Sequence, residues 1–262
     1  MNRPSFVELF EFRDLQDNMA QVKLGREFHG AFEGCFGGCV GATSIYAARQ
    51  IVDGRSPVSV DLRFLKPLPA GVCQTHVVVL SQGRSLTTVS VDTYDATERL
   101  CARATVGFAD VSALHVIETS GPLRPDFSDR DLGRPWKAPG GVSIPIIETL
   151  DPRFVGSGDF GIALSIEVPW SNPDLGAEGS CLPADMCVGP PVARANPDKW
   201  VPHPNPDLSL RFLPGSVGSE LIGVGRLERV SSGLAMVGVS VWSGQDLIAT
   251  GICSSMLLGT AK

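Results

Sequence analysis

Several features that mark common protein classes are missing from this chain of 262 residues. The chain has no basic run longer than two residues and a formal net charge of -6, which disfavours a nucleic-acid partner. No stretch approaches the roughly 18 consecutive apolar residues that a membrane-spanning helix needs. The start, "MNRPSFVELFEFRD", carries Asp and Glu and has no apolar segment followed by small residues, so we do not expect a signal peptide.

Short motifs of several catalytic classes are missing as well. There is no G-x-S-x-G, the nucleophile motif of α/β-hydrolases. The four histidines are isolated and the seven cysteines lack zinc spacing, so the sequence predicts no metal site and no cofactor. Unpaired cysteines in an odd number indicate reduced thiols and a cytoplasmic location. "GSGDFG" at 156–161 matches a dinucleotide-binding pattern but precedes a strand pattern, where that fold requires a helix.

What the chain does contain is one pattern written twice. "VDLRFLKPLPAG" (60–71) resembles "LSLRFLPGSVGS" (208–219), and an alternating, β-branched segment follows each copy. Alternation of apolar and polar residues predicts strands, and "ATE" and "SGQD" predict hairpin turns between the last two strands of each set. Each half is therefore expected to end in four antiparallel strands.

A helix is predicted upstream of the first set, over about 38–51, where Val40, Ile45, Ala48 and Ile51 recur at near-helical spacing. Strands are expected before it in "SFVELFEFR" and "MAQVKLGREF". The second half repeats the order with strands in "IPIIETLDPRF" and "FGIALSIEV". Its helix is predicted in "CLPADMCVGPPVARA", where Pro190 and Pro191 disturb it.

The resulting order, β-β-α-β-β-β-β in each half, predicts an α+β double hot-dog, in which each of two curved antiparallel sheets wraps a helix. We expect an N-terminal hot-dog over 1–109, a linker over 110–144 and a C-terminal hot-dog over 145–262. The two sheets are expected to pair side by side, because each half alone leaves a sheet edge open.

Three segments in order, "FGGCVGATSIYAARQIV", "SVDLRFLKP" and "GRS", resemble the type II acyl-CoA thioesterases, a family of double hot-dog enzymes. The resemblance implies hydrolysis of acyl-CoA thioesters without a covalent nucleophile, and an assembly into homo-oligomers. A carboxylate, a Ser or Thr hydroxyl and a Gln activate water in that family. The corresponding positions here are Asp207, Ser231 (or Ser232) and Cys253, so a cysteine stands where the family has Gln, unless Ser254 substitutes.

Other expected parts of the site come from the residues themselves. The backbone N–H groups of Gly37 and Gly38, at a helix N-terminus, are expected to polarise a thioester carbonyl. The turn Gly83-Arg84-Ser85 either faces the CoA phosphates, with Arg84 and Ser85 as candidate substrate contacts, or only closes a hairpin with a solvated Arg. Cys35 and Cys39 are a less favoured alternative as nucleophiles, because free cysteines are mostly buried and inert.

Two other functions remain open from the sequence. A non-catalytic acyl-thioester-binding protein is favoured by Cys253 in place of Gln and by the prolines of the second helix. A hot-dog enoyl-CoA hydratase would pair a carboxylate with a nearby His, and the predicted helices carry no His. Acyl-thioester hydrolysis is the preferred interpretation.

Overall fold

A computed structural model describes residues 3–117, 119, 121–138, 143–196, 201–213 and 217–259. Part of the predicted linker, namely 118, 120 and 139–142, lies outside the described residues. Within them, 13 strands form one sheet in the order β1-β2-β4-β5-β6-β3-β10-β13-β12-β11-β9-β8-β7. The predicted double hot-dog, with its large antiparallel sheet and buried helices, is confirmed.

The first half contains two helices and six strands. They are α1 (Phe6–Leu9), β1 (Arg13–Gln16), β2 (Met19–Leu24), α2 (Gly37–Arg49), β3 (Ser56–Phe64), β4 (Gly71–Gln82), β5 (Leu86–Tyr94) and β6 (Leu100–Ala109). The predicted helix, the four-stranded set and the "ATE" turn are confirmed. Inward-facing residues alternate along β5, where every second residue from Thr87 to Thr93 is buried, as expected for a sheet with one face on a core.

The strand predicted in "SFVELFEFR" is wrong, because this segment forms α1. Ser5 and Glu8 form a reciprocal capping box that starts a helix. Phe6 then stacks on Tyr46 of α2 at 4.4 Å between ring centroids and meets Trp170 of the second half edge-on at 4.9 Å. Burial of these rings between the two halves overrides the period-two alternation that suggested a strand.

The described residues of the second half contain three α-helices and seven strands. They are β7 (Arg134–Pro135), α3 (Pro145–Leu150), β8 (Arg153–Gly158), β9 (Gly161–Glu167), α4 (Gly176–Met186), α5 (Gly189–Arg194), β10 (Asp207–Phe212), β11 (Glu220–Ser231), β12 (Leu234–Ser243) and β13 (Asp246–Met256). The "SGQD" turn and the disturbed helix are confirmed. The helical chain breaks between α4 and α5, and Pro190 stands at the start of α5, where a missing N–H costs little.

The strand predicted in "IPIIETLDPRF" is correct only in its second part. Pro145 opens α3, and Asp151, in the left-handed conformation, ends it before β8 begins. Helix α3 lies on the first half: the N–H of Ile146 donates to His29 O at 3.0 Å and the hydroxyl of Thr149 donates to Glu27 O at 2.8 Å. These contacts with the other half favour a helix here.

The repeated Leu-Arg-Phe-Leu segments are the join between the two halves. Strands β3 and β10 pair antiparallel, with Leu62 opposite Leu208 and Leu210 opposite Val60. Asp61 and Ser209, equivalent positions in the two copies, lie opposite each other. The repeat therefore pairs with itself and covers both open edges, as the sequence predicts.

The two central helices pack antiparallel against each other. Gly38 of α2 lies so close to α4 that a methyl group at its Cα would be 2.7 Å from Cys181 O and 2.9 Å from the Cα of Leu182. Ten of the 13 residues of α2 are buried, so this helix is apolar on all sides, as expected for one enclosed by sheet and helix. Glycine at this position sets the distance between the helices.

Replacing Gly38 by Ala tests this close approach. Alanine is the better helix former by about 1 kcal/mol, but its methyl group would overlap backbone atoms, and overpacking costs about 1–3 kcal/mol. We expect a net loss of stability in urea unfolding. Gly41→Ala is the matched control, because its methyl group would meet the Cys181 side chain at 3.2 Å, which can move. An equal or smaller loss for Gly38→Ala than for Gly41→Ala would contradict the prediction.

Candidate active site

An apolar cavity of about 490 Å³ opens where α2 begins and α4 ends. The end of β3, the loop before β10 and the segment between the halves complete its walls. Its apolar side chains come from both halves, and they include Phe36, Val40, Phe64, Trp136, Ile144, Ile147, Met186 and Met256. Concave apolar sites with few polar groups are the usual form of small-molecule sites. Among the described residues that line it, Asp185 is the single carboxylate.

Asp185 lies in the last turn of α4 and points to the first turn of α2. Its Oδ2 accepts the N–H of Gly38 at 3.0 Å, and its Oδ1 accepts a hydrogen bond from Nδ2 of Asn205 at 3.1 Å. The first N–H groups of α2 have no acceptor within their own helix, and its N-cap residue, Phe36, supplies none. The carboxylate from the other half thus completes the start of α2.

The environment of Asp185 makes it a weak acid for its type. Only 7% of the residue is exposed. Burial raises the pKa of its carboxyl from 3.8 to about 6, although hydrogen bonds from Asn205, Gly38 and Gly37 oppose the shift. A carboxyl with a pKa near neutrality can exchange protons with a substrate, and such groups are concentrated at functional sites.

The loop that carries Asn205 is held against β13. Ser255 donates its hydroxyl proton to His203 O at 2.9 Å, and the N–H of Met256 donates to Pro204 O at 3.0 Å. Pro206 O accepts the N–H of Phe64 at 2.9 Å, which ties the loop to the end of β3 as well. Asn205 is therefore positioned by strands from both halves, and with it Asp185.

Asp207, the carboxylate expected from the resemblance, lies at the start of β10. Its Oδ2 forms an ion pair with Arg63, and its Oδ1 accepts the N–H of Ser254 at 2.7 Å. Its side chain is 13% exposed, whereas that of Arg63 is 68% exposed. Asp207 is thus an ion-paired group just outside the cavity, two residues after Asn205, and it is not one of the residues that line the cavity.

Cys253 is buried on β13, close to both carboxylates. Burial raises the pKa of its thiol well above the usual value, and the negative charges of Asp185 and Asp207 raise it further. The thiol is thus held neutral, so it contributes apolar bulk where an amide would supply a donor. Cys35 and Cys39 are similar: burial raises the pKa of Cys35 to about 12 and that of Cys39 well above normal, which argues against a thiolate nucleophile.

The structure does not bring the other predicted residues into the cavity. Ser231 is exposed at the end of β11, beside the left-handed Ser232. Arg84 and Ser85 lie in the β4–β5 turn, where the carbonyls of Gly83 and Arg84 accept hydrogen bonds from Arg55. This turn adjoins the end of β6 that pairs with Ser56, whereas the cavity adjoins Phe64, at the other end of β3.

Gly37 and Gly38 are at the site but in a role that differs from the expectation. The N–H of Gly38 is already bound by Asp185, so it does not face an empty ligand position. A methyl group at Gly37 would lie 2.5 Å from the ring of Phe64 and 2.9 Å from Oδ2 of Asp185. The glycines thus let a carboxylate and an aromatic wall approach the helix start.

The opposite end of the helix pair is closed. Arg49, the last residue of α2, donates from Nε and Nη2 to the carboxylate of Glu178 at 2.9 and 3.0 Å. Glu178 is fully buried in the first turn of α4, and a cavity of only about 60 Å³ lies beside Arg49 there. The two ends of the pair thus differ, because one holds a buried ion pair and the other a buried carboxylate that faces a cavity.

Sequence reasoning missed Asp185, although a signal was present. It is the only charged residue between Glu178 and Arg194, in a stretch of small and apolar residues that forms a helix. A lone carboxylate on a buried helix needs a partner. Its partners, Gly38 and Asn205, are 147 and 20 residues away along the chain, so the sequence does not show them.

Two further observations concern the described residues. They contain no group of three or more His, Cys, Asp or Glu that could hold a metal ion. None of the described helices is long and apolar enough to cross a membrane.

Residues 27–109 match the acyl-CoA thioesterase N-terminal domain family. A curated protein from Saccharolobus solfataricus, named as a candidate esterase, is 30% identical over 87 residues, which are 33% of this chain and 57% of that protein. The match thus spans little more than half of that relative.

Solved structures extend the similarity to the full fold. A candidate thioesterase II from Thermobifida fusca superposes with a TM-score of 0.81 at 16% identity and covers 99% of both chains. An acyl-CoA thioesterase II from Mycobacterium marinum gives 0.76 at 14% identity, covering 96% of this chain and 97% of that one. Residues 27–109 of this chain are therefore similar to the acyl-CoA thioesterase N-terminal domain family, and the chain as a whole has the double hot-dog fold.

Proposed function

We propose that this protein hydrolyses acyl-CoA thioesters with a water molecule activated by a carboxylate. The observation that carries the proposal is Asp185, a buried carboxyl with a pKa of about 6 in an apolar cavity, held by the N-terminus of α2. The match of residues 27–109 to the acyl-CoA thioesterase family supports the choice of substrate class.

In the proposed reaction, Asp185 accepts a proton from water while the water oxygen attacks the thioester carbonyl carbon. Negative charge then moves from the carboxylate to the carbonyl oxygen. Once Asp185 is protonated, it accepts hydrogen bonds from the N–H groups of Gly37 and Gly38 more weakly. These N–H groups and the helix dipole can then stabilise the negative charge on the carbonyl oxygen. When the tetrahedral intermediate collapses, the C–S bond breaks and Asp185 returns its proton to the CoA sulfur.

Asp207 keeps a place in this proposal as the alternative base. The resemblance assigns the role to its position, and it lies two residues from Asn205 at the rim of the cavity. Its Oδ2 is occupied by the ion pair with Arg63, and its Oδ1 is occupied by the hydrogen bond from the N–H of Ser254. Asp185 is buried and forms no ion pair with any described residue, which favours it as the base. Ser231, exposed at the end of β11, has no part in the proposed step, and Cys253 is proposed only to fill space in the core beside the two carboxylates.

The pH dependence of kcat/KM tests the carboxylate. Water activation requires the charged form of Asp185, whose pKa is about 6. We expect kcat/KM to level off above neutral pH and to fall about tenfold per pH unit in acid, with the midpoint near the pKa of Asp185. Rates over this range, at substrate concentrations far below KM, measure it. A rate that stays constant down to the ordinary pKa of Asp would exclude a raised carboxyl as the base.

Release of free CoA thiol by the pure protein tests the activity itself. The assay uses straight-chain acyl-CoA substrates and a thiol-reactive chromogen, with binding measured in parallel by calorimetry. Release that depends on intact Asp185 supports hydrolysis. Binding of acyl-CoA without any release would contradict it and would favour the non-catalytic binding protein. The homo-oligomer and the cytoplasmic location expected from the sequence stay predictions.

A further inference from the structure

A second cavity of about 400 Å³ lies directly behind the candidate active site. Two residues, Trp136 and Ala193, line both cavities. The rest of the second lining comes from β7, β8, β9 and α5, and it includes Phe154, Ile162, Pro190, Arg134 and Arg194. A single layer of side chains therefore separates the two spaces.

The backbone next to this layer is held firmly. The N–H of Trp136 donates to Pro152 O at 2.8 Å, directly after β7 pairs with β8. The indole is half-buried and packs against the main core. Opposite it, Ala193 on α5 presents only a methyl group. Trp136 thus provides most of the bulk between the cavities.

The second cavity has an apolar interior and a cationic rim. Phe154, Ile162 and Pro190 supply the apolar surface, and the guanidinium of Arg134 lies over the Phe154 ring at 4.7 Å. Arg134 and Arg194 are exposed. Such a lining suits the hydrocarbon part of an acyl group more than its polar thioester end.

We propose that Trp136, opposite Ala193, is the residue that limits the length of the acyl group. The inference rests on the proposed thioesterase function and names its specificity determinant. The acyl chain extends from the thioester at Asp185 through the first cavity and stops at the indole. Without the indole the two cavities join, and the hydrocarbon end of a longer chain enters the second one.

The test measures kcat/KM for straight-chain acyl-CoA substrates from butanoyl to octadecanoyl with wild type, Trp136→Leu and Trp136→Ala. We expect the ratio of long-chain to short-chain kcat/KM to rise about tenfold or more, since each methylene accommodated in an apolar pocket is worth a factor of that order. Turnover of butanoyl-CoA, the shortest substrate, is the internal reference against which the long-chain rates of each variant are compared. Trp136→Leu keeps an apolar side chain, so the test still has a folded variant if Trp136→Ala does not fold.

Two controls make the result specific. Lys137→Ala changes an exposed neighbour and should keep the wild-type chain-length profile. Trp136→Phe keeps an aromatic wall and should shift the profile less than Trp136→Leu does. Folded variants that hydrolyse acyl-CoA with an unchanged profile would overturn the inference while leaving the thioesterase function intact. If wild type releases no thiol from any substrate, the thioesterase proposal fails. The same chain-length comparison by binding affinity then decides whether Trp136 limits the length of the bound chain.

Discussion

Asp185→Asn is expected to lower thioester hydrolysis by about 10²–10⁴-fold, the usual contribution of a positioned general base. The amide is nearly isosteric with the carboxylate, and its oxygen can still accept the N–H of Gly38. It cannot take a proton from water. Turnover of a short acyl-CoA under saturating and limiting substrate measures the effect, and we expect the loss in kcat with little change in KM.

Asp207→Asn is the comparison that separates the two candidate bases. If Asp185 is the base, this variant should lose less activity, because it removes a rim ion pair and not the proton acceptor. Asp92→Asn is the matched control, since Asp92 forms an ion pair with Arg103 on the neighbouring strand and neither residue lines the cavity, and it should keep wild-type rates. A larger loss for Asp207→Asn than for Asp185→Asn would assign the base to Asp207.

Asp185→Asn is also expected to be more stable than wild type at neutral pH. The folded-state pKa of Asp185, about 6, lies above its ordinary value of 3.8, so folding favours the protonated form. The stabilisation of the folded state by protonated Asp185 is therefore complete below about pH 3.8 and is lost as the pH rises through about 6. Above that pH the buried charge costs up to about 3 kcal/mol, a cost that Asn avoids. Urea unfolding of both proteins across this range measures the difference, and a variant less stable at neutral pH would contradict it.

Arg49→Met is expected to destabilise the protein by about 3–5 kcal/mol, the usual cost of removing one partner of a buried ion pair. Met keeps the aliphatic length of Arg but leaves Glu178, which has no exposed surface, without its cation. Burial already raises the pKa of Glu178, and the hydrogen bonds and charge of Arg49 oppose that shift. The loss of stability should therefore grow as the pH rises, because the unpaired carboxyl must stay protonated in the folded state.

A double variant distinguishes the ion pair from simple loss of packing. Arg49→Met combined with Glu178→Gln removes the stranded charge and should recover much of the stability lost in Arg49→Met. Urea unfolding of the single and double variants gives the coupling. If the double variant is as unstable as the single one, the ion pair is not the cause of the loss.

Most of the sheet could be predicted because its signals are local. Alternation in "TTVSVDTY" and in "LAMVGVSVW" places one face of each strand in the core, and each hairpin turn is marked by polar residues and, in the second half, Gly244. The copied Leu-Arg-Phe-Leu segment also predicted that the halves pair, and β3 and β10 are the strands that do so. The helix of the first hot-dog was placed to within two residues at each end.

Elements that depend on the other half were mispredicted. Residues 6–9 alternate like a strand, yet Phe6 forms a helix that packs against Trp170. Residues 145–150 were predicted as a strand but form α3, which donates hydrogen bonds to the carbonyl oxygens of His29 and Glu27 in the first half. Both segments carry a local helix-start signal, the Ser5–Glu8 capping box and Pro145, beside a strand-like alternation, and contacts with distant residues favour the helix.

The sequence by itself determined the fold and the small residues at the start of α2, since periodicity and the glycine pair act over a few positions. Only the tertiary structure decided what those glycines hold. Asp185, 147 residues away, lies at the start of α2 because α4 packs antiparallel against α2. The pKa of its carboxyl is raised because the folded chain removes water from around it, and that removal depends on residues from both halves at once.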